Sequence, residues 1–346
     1  MIRYFIDSII VTVCGLATAY FWGEHIKPGG GLLAIFIAGI LAILEISLSF
    51  DNAVVNAMKL EHMSKIWQKR FLTWGIAIAV FGMRFLFPIL VVSVFAHLDM
   101  LTVTNIALTD STKYSHYLAL SHAPIVTFGG IFLIMLFLNY FFDHEKDVHW
   151  IECIELPISY LDRIRGIEII ISLIVLIILN NFIPEGQKVA VLLAGITGII
   201  TYLTIDGISH FLEKHDKERM AKCATSTIAC TGFVSFLYLE LIDASFSLDG
   251  VLGAFALSND VIIIAIGLGI GAMFVRSLTL VIVETKTLSK FRYLEHGAHW
   301  AIGALAIIML VTTVKEVPEV VTGLIGLVFI ISALISSIIY NKKHAE

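Results

Sequence analysis

The chain has 346 residues, of which 58% are hydrophobic and only 15% are charged, and its mean hydropathy is +0.91. This composition is too apolar for a soluble globular protein, so it excludes that class and indicates a polytopic membrane protein. The net charge of −5 is small, and no basic patch indicates a nucleic-acid partner.

Ten stretches of the chain are candidate membrane spans. A helix needs about 20 apolar residues to cross a hydrocarbon core about 30 Å thick. Continuous apolar runs such as GIEIIISLIVLIILNNF at residues 166–182 exclude a β-barrel, whose strands alternate. We therefore expect an all-α polytopic membrane protein with about ten transmembrane helices. The spans are residues 7–23, 32–58, 71–96, 124–142, 166–183, 189–211, 225–257, 261–283, 298–314 and 319–340.

The basic residues predict the orientation of these spans, since Lys and Arg are retained on the cytoplasmic side. Of the 23 Lys and Arg residues, 17 fall at the termini or in connections on the same side, four fall on the opposite side, and Arg84 and Arg276 lie within spans. We expect a multi-pass protein of the inner (plasma) membrane with both termini in the cytoplasm. The four cysteines form no CxxC pair, so neither a disulfide framework nor a zinc site is indicated.

Two acidic motifs occur within the predicted spans. LEISLSFDNAVVN at residues 44–56 and LIDASFSLDGVLG at residues 241–253 share the order acidic, x, Ser, x, Ser, x, Asp. Each is followed by a span with one arginine, in VFGMRFLFP and AMFVRSLTL. The second span enters from outside and the seventh from the cytoplasm, so the copies form an inverted repeat of the kind found in secondary transporters. We expect two repeat halves, residues 1–165 and 166–346, in one membrane domain.

The oxygen-bearing residues of both motifs form a candidate cation site. A charge at the bilayer centre costs about 2.5–3.5 kcal/mol, and a bound cation would compensate the intramembrane carboxylates. Mn²⁺, Mg²⁺ and Ca²⁺ prefer oxygen ligands, whereas Zn²⁺ and Cu⁺ favour the His and Cys that both motifs lack. The candidate metal ligands are Glu45, Ser47, Ser49, Asp51, Asn52, Asp243, Ser245, Ser247 and Asp249.

Helical geometry limits how these ligands can meet. At about 100° per residue, Glu45 and Ser49 share one face, whereas Ser47 and Asp51 point about 120° or more away. Either the helix is interrupted within residues 47–50, which is tolerated where backbone lines a cavity, or the acids form two successive sites along a path. We favour the interruption.

Other roles for polar residues in the spans stay open. Intramembrane Ser and Asn often form hydrogen bonds between helices, and acids can neutralise Arg84 and Arg276. We expect these two arginines to be counter-ions or helix locks, because a cation site repels them. Glu240, one turn before Asp243, and Asp206 are candidate accessory groups.

Two further groups of titratable residues lie on the predicted cytoplasmic side. The connection FFDHEKDVHWIECIELP at residues 141–157 contains seven acidic or His residues. We interpret it as a solvated loop, with metal collection as the alternative. His296 and His299 in EHGAHW are three residues apart at a predicted helix start, which allows a metal pair but is a weak signal.

The two motifs also carry a family resemblance. EISLSFDNAVV and DASFSLDGVLGAFALS are similar to sequences of the TerC-like integral membrane proteins, named for tellurium resistance, within the LysE transporter superfamily. The resemblance covers both repeat halves and the central connection. It implies metal-ion handling, above all manganese efflux, with metal bound by acids at Glu45, Asp51, Asp243 and Asp249. The second motif has Gly250 where the first has an asparagine, so the site need not be symmetric.

These observations predict a secondary transporter that exports a divalent cation, preferably Mn²⁺, by alternating access in exchange for protons. No nucleotide-binding motif or DKTG sequence is present, so we expect no direct ATP drive, no enzyme activity and no organic cofactor. Three other classes stay open: a membrane scaffold that delivers metal to exported proteins, an intramembrane enzyme, and an exporter of amino-acid-like molecules. The sequence does not indicate an oligomeric state.

Overall fold

The computed structural model describes residues 2–343 apart from residues 62, 79–81, 83–85, 97, 144–145, 147, 165, 221–231, 244–253, 255–256, 259 and 316. All regular secondary structure within the described residues is helical. In chain order the α-helices are α1 (Ile6–Ile26), α2 (Gly31–Leu48), α3 (Phe50–Glu61), α4 (Lys65–Ala77), α5 (Phe87–Ala96), α6 (Met100–Thr109), α7 (Ser111–Phe142), α8 (Glu152–Ser159), α9 (Ile167–Asn180), α10 (Lys188–Met220), α11 (residues 232–243), α12 (Val261–Glu284), α13 (Thr287–Lys290), α14 (Leu294–Thr312) and α15 (Glu319–Lys343).

Seven described helices are long and apolar enough to cross a membrane, namely α1, α2, α7, α10, α12, α14 and α15. This confirms an all-α polytopic membrane protein. The predicted span at residues 32–58 is interrupted between α2 and α3, so it is not one continuous helix. The described part of residues 71–96 contains the end of α4 and all of α5, where Pro88 fits the first turn because its missing N–H is not needed there. Residues 166–183 hold the 14-residue α9, and the described part of residues 225–257 includes α11.

The connection predicted on the outer side, before residue 124, is helical as well. Asp99 caps α6 by accepting a hydrogen bond from the Thr102 N–H at 2.8 Å, and Asp110 caps α7 by accepting one from the Lys113 N–H at 3.0 Å. With 32 residues, α7 is longer than a bilayer crossing requires, so it extends beyond the predicted span at its amino-terminal end.

The main hydrophobic core supports the first acidic motif. Helix α7 packs against α10 and α14, and α14 packs against α3. The buried residues of this core include Phe132 and Met135 of α7, Ala306 of α14 and Val55 of α3. The carboxy-terminal part of the motif, which lies in α3, is therefore held in the protein interior.

Close packing of α12 against α2 fixes the amino-terminal part of the same motif. A methyl group added at Gly267 would lie 2.6 Å from Leu41 Cβ and 2.9 Å from the Ala38 carbonyl oxygen. One added at Gly271 would collide with the side chain of Glu45. Small residues allow membrane helices to approach this closely, and here they press Glu45 against α12.

We predict that Gly271→Ala destabilises the protein, because the added methyl group fits between α12 and Glu45 only if a helix moves. Overpacking of this kind costs about 1–3 kcal/mol, which would lower the thermal unfolding midpoint in detergent. Gly39→Ala in α2 is the matched control. Apart from its chain neighbours and the backbone of α2 itself, no described atom lies within 4 Å of the added methyl group, and Ala favours a helix. Equal midpoints for the two variants would contradict this account.

Candidate functional site

The first acidic motif lies across a break between two helices. Helix α2 ends at Leu48 and α3 begins at Phe50, while the intervening Ser49 has φ −103° and ψ 17°. This confirms the predicted interruption. Glu45 lies in the last turn of α2, and Asp51 lies in the first turn of α3, where the helix dipole favours a negative charge.

The polar groups next to this break are buried. The exposed fraction is 2% for Glu45, 7% for Asp51, 2% for Asn52 and 6% for Asp243. Burying such groups is unfavourable unless hydrogen bonds or opposite charges compensate for the lost water. Their contacts therefore indicate what the site can bind.

The two carboxylates of the first motif face different helices. Ser49 Oγ donates a hydrogen bond to Glu45 Oε1 at 3.0 Å, and Glu45 packs against Gly271 of α12. Asp51 Oδ1 accepts a hydrogen bond from the backbone N–H of the next residue at 2.9 Å. Its Oδ2 faces Gly326 of α15, where an added methyl group would lie 2.7 Å away.

A hydrogen bond joins the two motifs. Asn52 Nδ2 donates to Asp243 Oδ1 at 2.5 Å, and Asp243 is the last described residue of α11. The bond therefore links α3 to α11 across 191 positions of the chain. Hydrogen bonds to carboxylates are among the stronger ones in proteins.

Two amide oxygens lie in the same interior. Asn52 Oδ1 and Asn56 Oδ1 are buried and have no hydrogen-bond partner among the residues that the structure describes. Asn56, one turn after Asn52, is 2% exposed. Amide and carboxylate oxygens are ligands that hard divalent cations accept, so the site is rich in suitable donors.

The structure places one predicted ligand differently. Ser47 is exposed, because it lies two residues from Glu45 on another side of α2. Contrary to the prediction, Ser47 does not join the buried acids. The predicted ligands Ser245, Ser247 and Asp249 lie outside the described residues. Within the described ranges, no three His, Cys, Asp or Glu side chains are grouped so that they could hold a metal ion.

Arg276 joins three helices. Its Nη1 donates to the Phe71 carbonyl oxygen at 2.7 Å, and its Nη2 lies 3.4 Å from Glu240 Oε1. The guanidinium carbon is 4.3 Å from the centre of the Phe71 ring, and Gly75 leaves room for the pair. These contacts tie α4 and α11 to α12, as a helix lock does. Arg84, assigned the same roles from sequence, lies outside the described residues.

The two accessory candidates have separate surroundings. Glu240 faces Arg276. Asp206, which is partly buried on α10, lies near Tyr202 and Tyr238. Tyr202 also accepts a hydrogen bond from Asn139 Nδ2 at 2.5 Å, so this region is a second polar contact between helices.

A further buried acid, Glu155, lies in α8, within the connection that we interpreted as a solvated loop. Its side chain is 1% exposed. Its Oε2 accepts from the Trp150 N–H at 2.8 Å and lies 3.1 Å from His296 Nδ1, while its Oε1 accepts from Trp300 Nε1–H at 3.0 Å. His149 Nδ1 is 3.7 Å from Oε2. The solvated-loop interpretation is therefore wrong for Glu155.

These contacts keep Glu155 ionised and separate the predicted histidine pair. Burial opposes ionisation, but hydrogen bonds from His296 and Trp300 outweigh it and lower the pKa of Glu155 to about 2. His299 instead has Nδ1 2.9 Å from the Glu295 carbonyl oxygen. Nothing in the local sequence distinguishes Glu155 from exposed acids nearby, because its partners lie up to 145 positions away.

A comparison with protein-family models matches residues 50–344 to a family described as a protein of unknown function, DUF475. The chain belongs to this family. The DUF475 match starts at the first residue of α3, so it includes Asn52 and Asp243 but not Glu45. No curated protein and no solved structure matches the chain.

In this DUF475 protein, we predict that Arg276→Met is more destabilising than the double change Arg276→Met with Glu240→Leu. Removing one partner of a buried ion pair costs about 3–5 kcal/mol, whereas apolar replacement of both is milder. The thermal unfolding midpoints of the wild type, both single variants and the double variant form a double-mutant cycle. Strictly additive changes would show that the two side chains are not coupled.

We also predict that Glu155→Gln destabilises the DUF475 protein, whereas Glu152→Gln, at an exposed position of the same helix, changes stability by less than about 0.5 kcal/mol. The pKa of Glu155 is lowered from 4.5 to about 2 on folding, so its stabilisation is complete above about pH 4.5 and is lost as the pH falls towards 2. The difference in unfolding midpoint between wild type and Glu155→Gln should not shrink from pH 7 to pH 5. Its disappearance in that range would contradict an ionised Glu155.

Proposed function

We propose that this DUF475 protein is a secondary transporter that exports a divalent cation, with Mn²⁺ as the favoured ion. The observation that carries the proposal is the hydrogen bond from Asn52 to Asp243, because it brings the two acidic motifs together in the buried interior. The resemblance of both motifs to TerC-like proteins supports the same function, since that resemblance implies manganese efflux.

The chemistry of the buried groups suits a hard cation. The site offers the carboxylates of Glu45, Asp51 and Asp243 and the amide oxygens of Asn52 and Asn56. All are oxygen donors, which Mn²⁺ accepts and which Zn²⁺ and Cu⁺ favour less than His or Cys. A divalent ion would also balance negative charge that an apolar interior cannot solvate.

The helix break supplies a means of changing this ligand set. Backbone near Ser49 departs from helical geometry, as is typical of discontinuous helices at transporter binding sites. Glu45 faces α12 and Asp51 faces α15, so a movement of α3 relative to either helix alters which oxygens can reach a cation. Such a movement is the step that alternating access requires.

Protons are the proposed counter-ions. A carboxylate must be deprotonated to bind a metal ion, so metal binding and proton binding compete for the same oxygens. Proton uptake by Asp51 or Asp243 on one side of the membrane would therefore release the cation there. The proton gradient can then drive export without nucleotide hydrolysis.

The distribution of basic residues supports the proposed orientation of the chain in the membrane. Seventeen of the 23 Lys and Arg residues fall on the side of the termini and four on the other, and positive residues are retained in the cytoplasm. We propose an inner (plasma) membrane protein with both termini in the cytoplasm. The two halves, residues 1–165 and 166–346, would form the inverted repeat around the site.

Metal flux in proteoliposomes tests this function, with Mn²⁺ measured beside Mg²⁺, Ca²⁺ and Zn²⁺. We expect the wild type to move Mn²⁺ and the variants Asp51→Asn and Asp249→Asn to lose flux by at least about tenfold, because each removes a proposed ligand. Glu185→Gln is the control, since Glu185 is an acid with 89% exposure away from the site, and its flux should match wild type.

An imposed pH gradient tests the coupling separately. We expect Mn²⁺ flux to rise when the gradient favours proton movement against the cation, and flux that ignores the gradient would contradict proton exchange. Binding of Mn²⁺ to the purified protein without flux of any of the four ions would contradict transport and favour a metal-delivering scaffold.

A further inference from the structure

Helix α8 has two polar side chains inside and two apolar side chains outside. Glu155 and Ser159, four residues apart on one face, are 1% and 3% exposed. Ile154 and Leu156 are 43% and 39% exposed. A helix on a water-exposed surface shows the opposite pattern, with its apolar stripe facing the core.

The exposed apolar side chains continue beyond α8 along the chain. We call Ile154, Leu156, Tyr160, Leu161 and Ile164 the linker surface, and all five are exposed. The linker surface ends three residues before α9 begins. Helix α9 then presents its own exposed apolar side chains, which are Ile170, Leu173, Ile174, Ile177 and Ile178. The exposed apolar residues thus continue from the linker surface onto the apolar helix α9.

Helix α9 is too short to cross a bilayer by itself. Its 14 residues cover about 21 Å at about 1.5 Å per residue, which is short of the roughly 30 Å hydrocarbon core. A helix of this length that begins at the membrane surface would end inside the bilayer. The apolar residues before α9 can lie in part of the hydrocarbon core that α9 is too short to cross.

We propose that residues 152–164 lie within the bilayer interface, in the leaflet that holds the amino-terminal end of α9, with lipid as the partner of the linker surface. Tyr160 suits this depth, since tyrosine is enriched where the bilayer meets water. On the orientation proposed above this is the cytoplasmic leaflet, and only that assignment rests on the proposed function.

This placement also accounts for the inward direction of Glu155. At an interface, an amphipathic helix buries its apolar side about 5–10 Å into the headgroup and acyl boundary. The opposite side of α8 then faces α14, where His296 and Trp300 contact the carboxylate. Lipid would therefore contact one side of α8, while Glu155 contacts α14 on the opposite side.

Bimane fluorescence in proteoliposomes tests the proposal. Single cysteines replace Leu156 or Tyr160 in a cysteine-free chain, and the labelled proteins are reconstituted into phosphatidylcholine vesicles with or without bromine on the acyl chains. Iodide on both sides of the membrane is the aqueous quencher. Ile177→Cys, at an exposed position of α9, is the lipid control, and Lys290→Cys, at the exposed end of α13, is the water control.

We expect brominated lipid to quench the labels at Leu156 and Tyr160 as it does at Ile177, and at least about twofold more than at Lys290, as an interfacial depth implies. Iodide quenching equal to that at Lys290, without quenching by brominated lipid, would overturn the proposal. So would a Leu156→Cys label shielded from both quenchers in a protein that crosslinks to a second copy through that cysteine. No readout involves metal flux, so failure of the transporter proposal is distinguishable from failure of this one.

Discussion

Compensation of buried charge is the constraint on which this structure depends, because a bilayer interior offers no water to solvate an ion. Arg276 and Glu155 meet it with protein groups, since the former contacts a carbonyl oxygen and a carboxylate and the latter accepts hydrogen bonds from two tryptophans. The first acidic motif differs, because Asn52 Oδ1 and Asn56 Oδ1 are buried and have no hydrogen-bond partner among the described residues. These two acceptors set the motif apart from the purely structural contacts.

Run length and helical periodicity were sufficient to predict the membrane class and the break beside Glu45. Both follow from local geometry, namely about 20 apolar residues per crossing and about 100° per residue. The partners of each side chain were not predictable in the same way. The contacts of Asp51 with Gly326 and of Asn52 with Asp243 join helices far apart in the chain. The outward position of Ser47 likewise depends on which side of α2 meets α12.

The connection between the halves shows how charge density can mislead. A stretch with seven acidic or His residues is typical of solvated loops, yet one of its acids is among the most buried residues described. Glu152 and Glu155 look alike in sequence. Glu155 faces inward because His296 and Trp300 of α14 contact its carboxylate. Leu156 and Tyr160, which follow Glu155 closely in the chain, are apolar in character and yet exposed, so residue type does not decide burial in this stretch.

The hydrogen bond from Asn52 to Asp243 affects the rate of the proposed transport cycle and the leak of protons through the protein. It connects α3 with α11, so separating the two motifs in an empty carrier requires breaking it. A hydrogen bond to a charged group is worth about 1.5–3 kcal/mol, which corresponds to roughly a 10- to 100-fold slower transition. A cation that takes over the Asp243 carboxylate would lift this restraint. The unloaded protein would then rest in one state, which limits the futile leak of protons across the membrane.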